Sequence, residues 1–217
     1  VLGAPVGLPP TGLYGLIDLI GLDDMELVGR NLAANLPKDD PGHPYTSFPS
    51  VEQKMHDSGQ LGRKSGGGFY RQVKLSDGER RKESFDLQSA EWRAAQPADL
   101  HAVSTELGNV LFDDSAEGEL AWQIFGGTLQ YAAGLIPEIA DDVINFDNAI
   151  RWGFNWVKGP FEMIDHLDSR RVIDRILGEG KELPAMLEVL QNSGFESFYR
   201  NDGSEYLGVD GQYHSVN

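Results

Sequence analysis

The feature that most limits what this 217-residue chain can fold into is an internal repeat. Gly12-Leu13-Tyr14-Gly15-Leu16-Ile17-Asp18 recurs as Gly159-Pro160-Phe161-Glu162-Met163-Ile164-Asp165, and Pro49 to Ser58-Gly59 recurs as Pro184 to Ser193-Gly194. Phe69-Tyr70-Arg71 recurs as Phe198-Tyr199-Arg200, and each copy then runs into an Asp-Gly pair, Asp77-Gly78 and Asp202-Gly203. The separation falls from 147 residues at Gly12 and Gly159, through 135 at Pro49 and Pro184, to 129 at Phe69 and Phe198, so the second copy is shorter in its loops. Ordered matches of this kind describe two diverged copies of one unit of roughly 80–100 residues. Domains are expected over residues 1–97 and 98–217, packed about an approximate two-fold axis as tandem duplicates of a dimer would be.

Local patterns make each copy mainly helical. Leu13 to Ile20 reads as a short apolar helix ended by Gly21, and Asp23 with Glu26 reads as a capping box opening a second helix. Met25, Leu27, Val28, Leu32 and Leu36 are its expected apolar stripe. Pro49 opens a helix that stops at Gly59. Phe69 to Lys74 reads as a strand, Ser76-Asp77-Gly78 as a hairpin turn and residues 79–86 as the returning strand. Residues 87–115 are polar and are read as the linker, with a weak helical signal from Leu100 to Phe112. Leu120, Ile124, Thr128, Ala132 and Leu135 then predict a buried helix ending at Pro137. Asn145 is expected to cap a helix from Phe146 to Trp152 closed by Gly153.

Charge and composition remove several classes of function. With 18 Lys and Arg against 34 Asp and Glu the formal charge is −16, which repels phosphate backbones and anionic headgroups. No nucleic-acid partner is expected. The charge-free run from Leu120 to Pro137 contains Gln123, Gly126, Gly127, Thr128 and Gln130 and is flanked by acids, so no membrane span is expected either. The absence of Cys excludes disulfides, thiolate nucleophiles and Cys-based metal sites, and makes a cytoplasmic setting the default. The chain opens on Val1 and its first basic residue is Arg30, so no basic start of a signal peptide is present and more chain is expected upstream.

The residues that carry chemistry are few. His43, His56, His101, His166 and His214 are scattered, with no metal-ligand spacing and no carboxylate partner recognisable by motif. Gly62-Arg63-Lys64-Ser65-Gly66-Gly67-Gly68 is not a phosphate loop, because Arg63 rather than Gly precedes Lys64 and a strand follows. Its glycines read as a flexible turn leading into Phe69. Arg63 and Lys64 are absent from the second copy, which reads Gly194-Phe195-Glu196-Ser197-Phe198, so the pair is a candidate contact to another domain or an anionic ligand. That role requires the two to be exposed and unpaired; a solvated loop is the alternative. Asp18 and Asp165 lie late in their helices, where the macrodipole disfavours a carboxylate, so each is expected to accept hydrogen bonds from backbone N–H groups of a neighbouring element. Trp152, Phe154, Trp156 and Phe161 read as core aromatics.

Gly159-Pro160-Phe161-Glu162-Met163-Ile164-Asp165, preceded by Trp152-Gly153-Phe154-Asn155-Trp156, resembles the GPFE-type motif of the 3-hydroxyacyl-CoA dehydrogenase C-terminal domain. Asp18-Leu19-Ile20-Gly21-Leu22-Asp23 with Gly62 to Gly68-Phe69-Tyr70 resembles the DxxGLD and GRKxGxGFY elements of the same domain. Pro137 to Asp142 resembles a segment of the bacterial multifunctional fatty-acid oxidation proteins, which carry the domain twice. The resemblance implies a mainly α fold, two tandem copies of a helical domain like the 6-phosphogluconate dehydrogenase C-terminal type, each ending in a β-hairpin. It implies that Gly12, Asp18, Gly21, Asp23, Gly68, Phe69, Tyr70, Gly159, Pro160, Phe161 and Asp165 are structural motif positions.

The parent reaction implied is NAD-dependent oxidation of (S)-3-hydroxyacyl-CoA in fatty-acid β-oxidation. The NAD-binding domain with its His–Glu pair, and an Asn-Arg-bearing helix opening the first C-terminal domain, would then lie upstream of Val1. The chain itself is expected to hold no catalytic residue, cofactor or metal; its partners would be the missing dinucleotide-binding domain and an acyl-CoA substrate. Two departures stand out: Thr11-Gly12-Leu13-Tyr14 where the family has Gly-Pro-Phe, and Asp168 where it keeps Gly. A non-catalytic helical assembly scaffold, and the helical domain of a dehydrogenase for another 3-hydroxy acid, are the competing expectations.

Overall fold

A computed structural model describes residues 3, 7–96 and 106–216. It divides into two compact units, one over Thr11–Asp99 and one that joins Val1–Pro10 to Leu100–Asn217. The expected boundary at 97 and 98 lies outside the described residues, as does His101.

The first unit opens with α1 (Gly12–Ile20), which turns at Gly21 into α2 (Leu22–Asn35). Gly21 has φ 108, a region that L side chains rarely adopt. The expected capping box does not form: Gly21 itself is the N-cap, and the Asp23 carboxylate turns to Lys64 instead. The expected stripe on α2 is also misplaced, since Leu27, Val28 and Leu32 are exposed and the helix buries Leu22 and Gly29. Gly29 is buried because Thr46 carbonyl oxygen occupies the space of a side chain. α3 (Ser50–Asp57) follows Pro49 and contributes Met55.

β1 (Tyr70–Lys74), β2 (Arg80–Asp86) and β3 (Glu91–Ala94) form an antiparallel sheet in that order. The third strand occupies residues read as linker: Phe85 faces Trp92 across the ladder and their rings meet edge-on. The core of this unit is small, Leu22, Met55 and Phe69, with Ile17, Phe48, Leu61, Tyr70, Phe85 and Leu87 packed around it.

The second unit is helix-rich. α4 (Leu107–Leu111) and α5 (Ala116–Ala121) lead through a π turn at Trp122–Gly126 into α6 (Gly127–Gly134). The buried stripe here is Trp122, Phe125, Leu129, Ala132 and Ile136, while Leu120 and Ile124 are exposed. Sequence periodicity placed the stripe off register because 120, 124 and 128 keep helical spacing as well as the true series does. A wide π turn also rotates the faces relative to a regular helix.

α7 (Val143–Phe154) is capped by the Asp142 carboxylate, which accepts from Asn145 N at 2.7 Å, and ends on left-handed Asn155. Asn145 is therefore inside the helix, as is Gly153. α8 (Pro160–His166), α9 (Ser169–Gly178) and α10 (Ala185–Ser193) follow, and β4 (Tyr199–Arg200), β5 (Glu205–Leu207) and β6 (Tyr213–Ser215) close the unit as a second three-stranded antiparallel sheet. Its core is continuous, from Leu107 through Trp122, Phe161 and Leu187 to Leu207. Trp152 and Phe154, expected in it, lie at the far end of α7 and are exposed. Among the described residues no helix is long and apolar enough to cross a membrane.

Candidate functional site

Each unit ties its short apolar helix to its sheet with one carboxylate. Asp18 leaves α1 to accept from Phe69 N at 2.7 Å and Tyr70 N at 2.8 Å. Asp165 leaves α8 to accept from Phe198 N at 2.7 Å and Tyr199 N at 2.8 Å. A buried carboxylate is tolerated here because it satisfies two strand-entry N–H groups that would otherwise be unpaired. Burial raises the Asp18 pKa, opposed by those two N–H groups and by the charges of Arg63 and Lys82. Burial raises Asp165 to about 6, with the Glu162 charge adding to it and the two N–H groups opposing.

The glycine-rich segment serves the first of these clamps. A Cβ on Gly68 would overlap the Asp18 carboxylate, and one on Gly62 would overlap the Asp18 carbonyl. The loop is closed rather than open: Gly62 and Gly67 exchange backbone hydrogen bonds at 3.0 Å, and Ser65 Oγ donates toward Gly62 O or Gly67 O and accepts from Leu61 N. Phe69 is buried and Tyr14 packs on it at 4.4 Å between ring centroids.

Arg63 and Lys64 separate here. Lys64 Nζ lies 2.6 Å from Asp23 Oδ1 and 2.7 Å from Asp24 Oδ2, so the expectation that both cations stand unpaired is corrected for Lys64. Asp23 and Asp24 open α2, where the macrodipole holds acids, and Lys64 completes the pair. Its hydrogen bond draws the Asp23 carboxyl below its ordinary range. Arg63 is exposed and forms no ion pair among the described residues.

The second unit adds a cleft of about 730 Å³ whose lining includes Asp147, Arg151, Lys158, Glu162, Asp165 and Tyr199. Asp147, on α7, accepts from Phe161 N at 2.9 Å, Glu162 N at 3.0 Å and Tyr199 Oη at 2.9 Å. It thus caps α8 from outside, and a Cβ on Gly159 would overlap it. Glu162 Oε2 accepts from Gly159 N at 2.8 Å, and Arg151 Nη1 lies 3.2 Å from Glu162 Oε1. Burial raises Asp147 to about 7 against its three hydrogen bonds, and raises the Tyr199 phenol with the Asp147 charge. The sequence reading missed Asp147; the one signal for it is the Gly at 159 with Glu three residues on, a helix start whose own N-cap has no side chain.

Pro160 and Phe161 are buried in the first turn of α8, and Gly12, at φ 63, opens α1. Asp168, in place of a Gly, holds φ 68 and accepts from Arg170 N at 3.1 Å. Histidine–carboxylate pairs exist that no motif revealed: His56 Nε2 lies 3.1 Å from Glu26 Oε2, and His214 Nε2 2.9 Å from Asp210 Oδ1. The first joins α3 to α2 and the second closes the turn before β6. Among the described residues no group of three His, Cys, Asp or Glu could hold a metal ion.

Residues 2–72 match the family model of the 3-hydroxyacyl-CoA dehydrogenase C-terminal domain. All of the chain aligns, at 30% identity over 227 residues, with 28% of a protein of Bacillus subtilis (strain 168) named "Probable 3-hydroxyacyl-CoA dehydrogenase". Over 159 residues, 73% of the chain is 35% identical to 22% of a Rickettsia felis protein named "Putative fatty acid oxidation complex trifunctional enzyme". The chain thus spans about a quarter of the length of these curated relatives. With the GRKSGGGFY loop, the Asp18 clamp and these alignments in hand, the chain belongs to the family of 3-hydroxyacyl-CoA dehydrogenase C-terminal domains.

Proposed function

We propose that this chain is the helical C-terminal part of an NAD-dependent (S)-3-hydroxyacyl-CoA dehydrogenase of fatty-acid β-oxidation, made of two diverged copies of one domain. The observation that carries this reading is the repeated clamp. The matched region ends just past Phe69 and Tyr70, whose N–H groups Asp18 holds, and Asp165 holds Phe198 and Tyr199 in the same way at the same distances. The element order supports it too, three helices and a three-stranded antiparallel sheet following Gly12 and again following Gly159.

The contribution of the chain is structural. It supplies a wall of the acyl pocket and a packing surface for a dinucleotide-binding domain on another part of the same polypeptide, and Arg63 is the cation left to reach that domain. Hydride transfer needs a strand–glycine–helix cradle for the pyrophosphate and an oriented imidazole. Both described sheets are antiparallel, and His56 and His214 sit in surface ties rather than beside a nucleotide cradle. The setting is cytoplasmic, in keeping with a chain without Cys.

The test is an NADH absorbance assay of the 217-residue chain with acetoacetyl-CoA, alongside calorimetric titration with NAD. No turnover above the buffer blank and no micromolar binding are expected; either one overturns the assignment of chemistry to another domain. In the full-length protein Arg63→Ala is expected to lower kcat/KM while leaving the fold intact, because misplacing the domains disturbs the near-attack geometry.

A further inference from the structure

The sheet of the first unit carries the longer hairpin. With Tyr70 aligned on Tyr199, β1 and β2 pair at five positions, from Tyr70 with Ser84 to Lys74 with Arg80, whereas β4 and β5 pair at two. The three added pairs bring Lys74, Arg80, Arg81 and Lys82, and the alternation of a strand divides these between the two faces. Arg81 shares its face with Glu83, which takes Arg81 at 2.6 Å and Arg71 at 2.7 Å, and Arg71 lies over the Trp92 ring. Lys74, Arg80 and Lys82 share the opposite face with Gln72 and Tyr70. All three are exposed, and none forms an ion pair among the described residues. The acids of that face, Asp86 and Glu91, stand at its far end, where Asp86 takes Arg93 at 3.3 Å. Lys74 lies directly across the ladder from Arg80, and like charges in that position destabilise a sheet. Lys82 follows Arg80 about 7 Å along the strand, its Nζ held 4.2 Å from the centre of the Tyr70 ring. Such a row becomes favourable once an anion sits on it. The second hairpin has no such row, since its cation, Arg200, is neutralised by Glu205 at 2.6 Å.

We propose that the face formed by Lys74, Arg80 and Lys82 binds the phosphate end of the acyl-CoA substrate. The proposal rests on the reading above, which names acyl-CoA as the substrate class. The charge of the whole chain, −16, narrows the choice of anion, because it repels a nucleic acid or an anionic membrane whose charges extend far beyond the patch. A compact anion feels chiefly the nearest cations, since salt screens the rest beyond about 8 Å. Coenzyme A is compact at that end, with a diphosphate and a separate 3′-phosphate, and its reacting thioester lies at the other end of a flexible arm. Arg holds phosphate through its planar fork and Lys as a point charge, so the three side chains act on binding and not on the chemical step. An acidic protein segment fits less well, because protein interfaces are depleted of charge at their centre and this face has charge there.

The experiment titrates coenzyme A into the 217-residue chain at low ionic strength and follows the heat of binding. Saturable binding is expected, weaker for 3′-dephospho-coenzyme A and absent for pantetheine, which has no phosphate. Lys74→Gln/Arg80→Gln/Lys82→Gln is expected to weaken it at least about tenfold, as three exposed charged contacts together supply. Lys38→Gln/Lys54→Gln/Lys181→Gln removes the same charge from other surfaces and is expected to change it less than about twofold. Relief of the repulsion between Lys74 and Arg80 means that the first variant is expected to melt no lower than the unsubstituted chain; Lys74→Gln alone serves in its place if it does. No saturable binding, pantetheine bound as tightly as coenzyme A, or equal losses in the two triple variants overturns the proposal. Tighter binding of a poly-glutamate peptide than of coenzyme A also overturns it, in favour of an acidic protein segment. In the full-length protein the first variant is expected to raise KM for acetoacetyl-CoA while leaving kcat, and KM for acetoacetyl-pantetheine, unchanged; an unchanged KM for acetoacetyl-CoA counts against the proposal. Failure of the underlying reading would appear elsewhere, as no reduction of either thioester by the unsubstituted full-length protein, whatever the calorimetry shows.

Discussion

The first unit holds its sheet with the same carboxylate clamp as the second, yet its fully buried apolar core is Leu22, Met55 and Phe69, whereas the second packs more than twenty buried residues around Phe161 and Leu187. The difference lies in what surrounds the shared elements. α8 is covered by α6 and α7, and α10 contributes Met186, Leu187 and Leu190 to the core; the matching helix α3 contributes Met55. With Pro49 aligned on Pro184, Glu52 of the first unit stands opposite Leu187 of the second. Motif geometry and depth of burial are therefore separate properties: the clamp needs one carboxylate and two backbone N–H groups, whereas the core depends on which helices pack around it.

Pairs of substitutions at matched positions give the sharpest challenge to this comparison. Met163→Ala is expected to destabilise the second unit by about 2–5 kcal/mol, as large-to-small core changes do. Leu16→Ala, at the matching position on α1, is expected to cost about 1 kcal/mol or less because that side chain is already partly exposed. Hydrogen exchange read separately over the two units distinguishes them, and equal costs would erase the contrast.

At the entry to the sheets, Gly68→Ala is expected to cost roughly 2–4 kcal/mol, since its Cβ must displace the Asp18 carboxylate and strand two backbone N–H groups. Ser197→Ala at the matching position in the second unit is expected to cost about 1 kcal/mol, the worth of the hydrogen bond from Ser197 Oγ to Tyr199 O. Thermal unfolding of the two variants compares them directly.

Burial raises Asp18 in the first unit as well, but proton linkage should be stronger in the second. Folding raises Asp147 to about 7 and Asp165 to about 6, so the native state binds protons that the unfolded chain has released above its ordinary carboxylate range. The stability these groups contribute is complete below about pH 4 and is lost as the pH rises through 6 and 7. Melting of the second unit is thus expected to shift downward from pH 5 to pH 8, and Asp147→Asn to flatten that slope. A slope unchanged by the substitution would place the linkage elsewhere.

The smallest effect concerns Asp168, which holds a positive φ at the turn where the first unit has Gly21. Asp168→Gly relieves backbone strain but gives up the cap on Arg170 N, so the change is expected within about 0.5 kcal/mol of zero. Asp168→Ala keeps the strain and loses the cap, and is expected to cost about 1 kcal/mol, read from the shift in denaturant midpoint.

Much of this was legible in the chain itself. Gly and Pro punctuation located α1, α3 and both first hairpins, and the repeat located the two clamps, because turn chemistry and a helix-end carboxylate are local signals. Burial was less legible. Leu27, Val28 and Leu32 have faultless helical spacing and lie in water, and Trp152 and Phe154 look like core aromatics and are not, because spacing reports that a face exists and not what lies opposite it. Lys64 was separated from Arg63 only when Asp23 and Asp24, some forty residues earlier, came to lie beside it. Asp147 itself stands in no motif, and only the bare Gly159 cap hints at it, since its partners are two backbone N–H groups of a helix that begins thirteen residues later and the Tyr199 hydroxyl.

The clamps differ in one respect that bears on how the chain folds. Asp18 and Phe69 are 51 residues apart, and Asp165 and Phe198 are 33 apart, so the second clamp closes the shorter loop. The entropy of closure grows with the logarithm of loop length, which favours the second by roughly 0.4 kcal/mol before any packing is counted. Shorter loops also meet sooner, and contacts of low sequence separation form early in folding. The shorter connections of the second unit thus give the chain a preferred starting point: its C-terminal clamp can close while the first unit is still searching for its own.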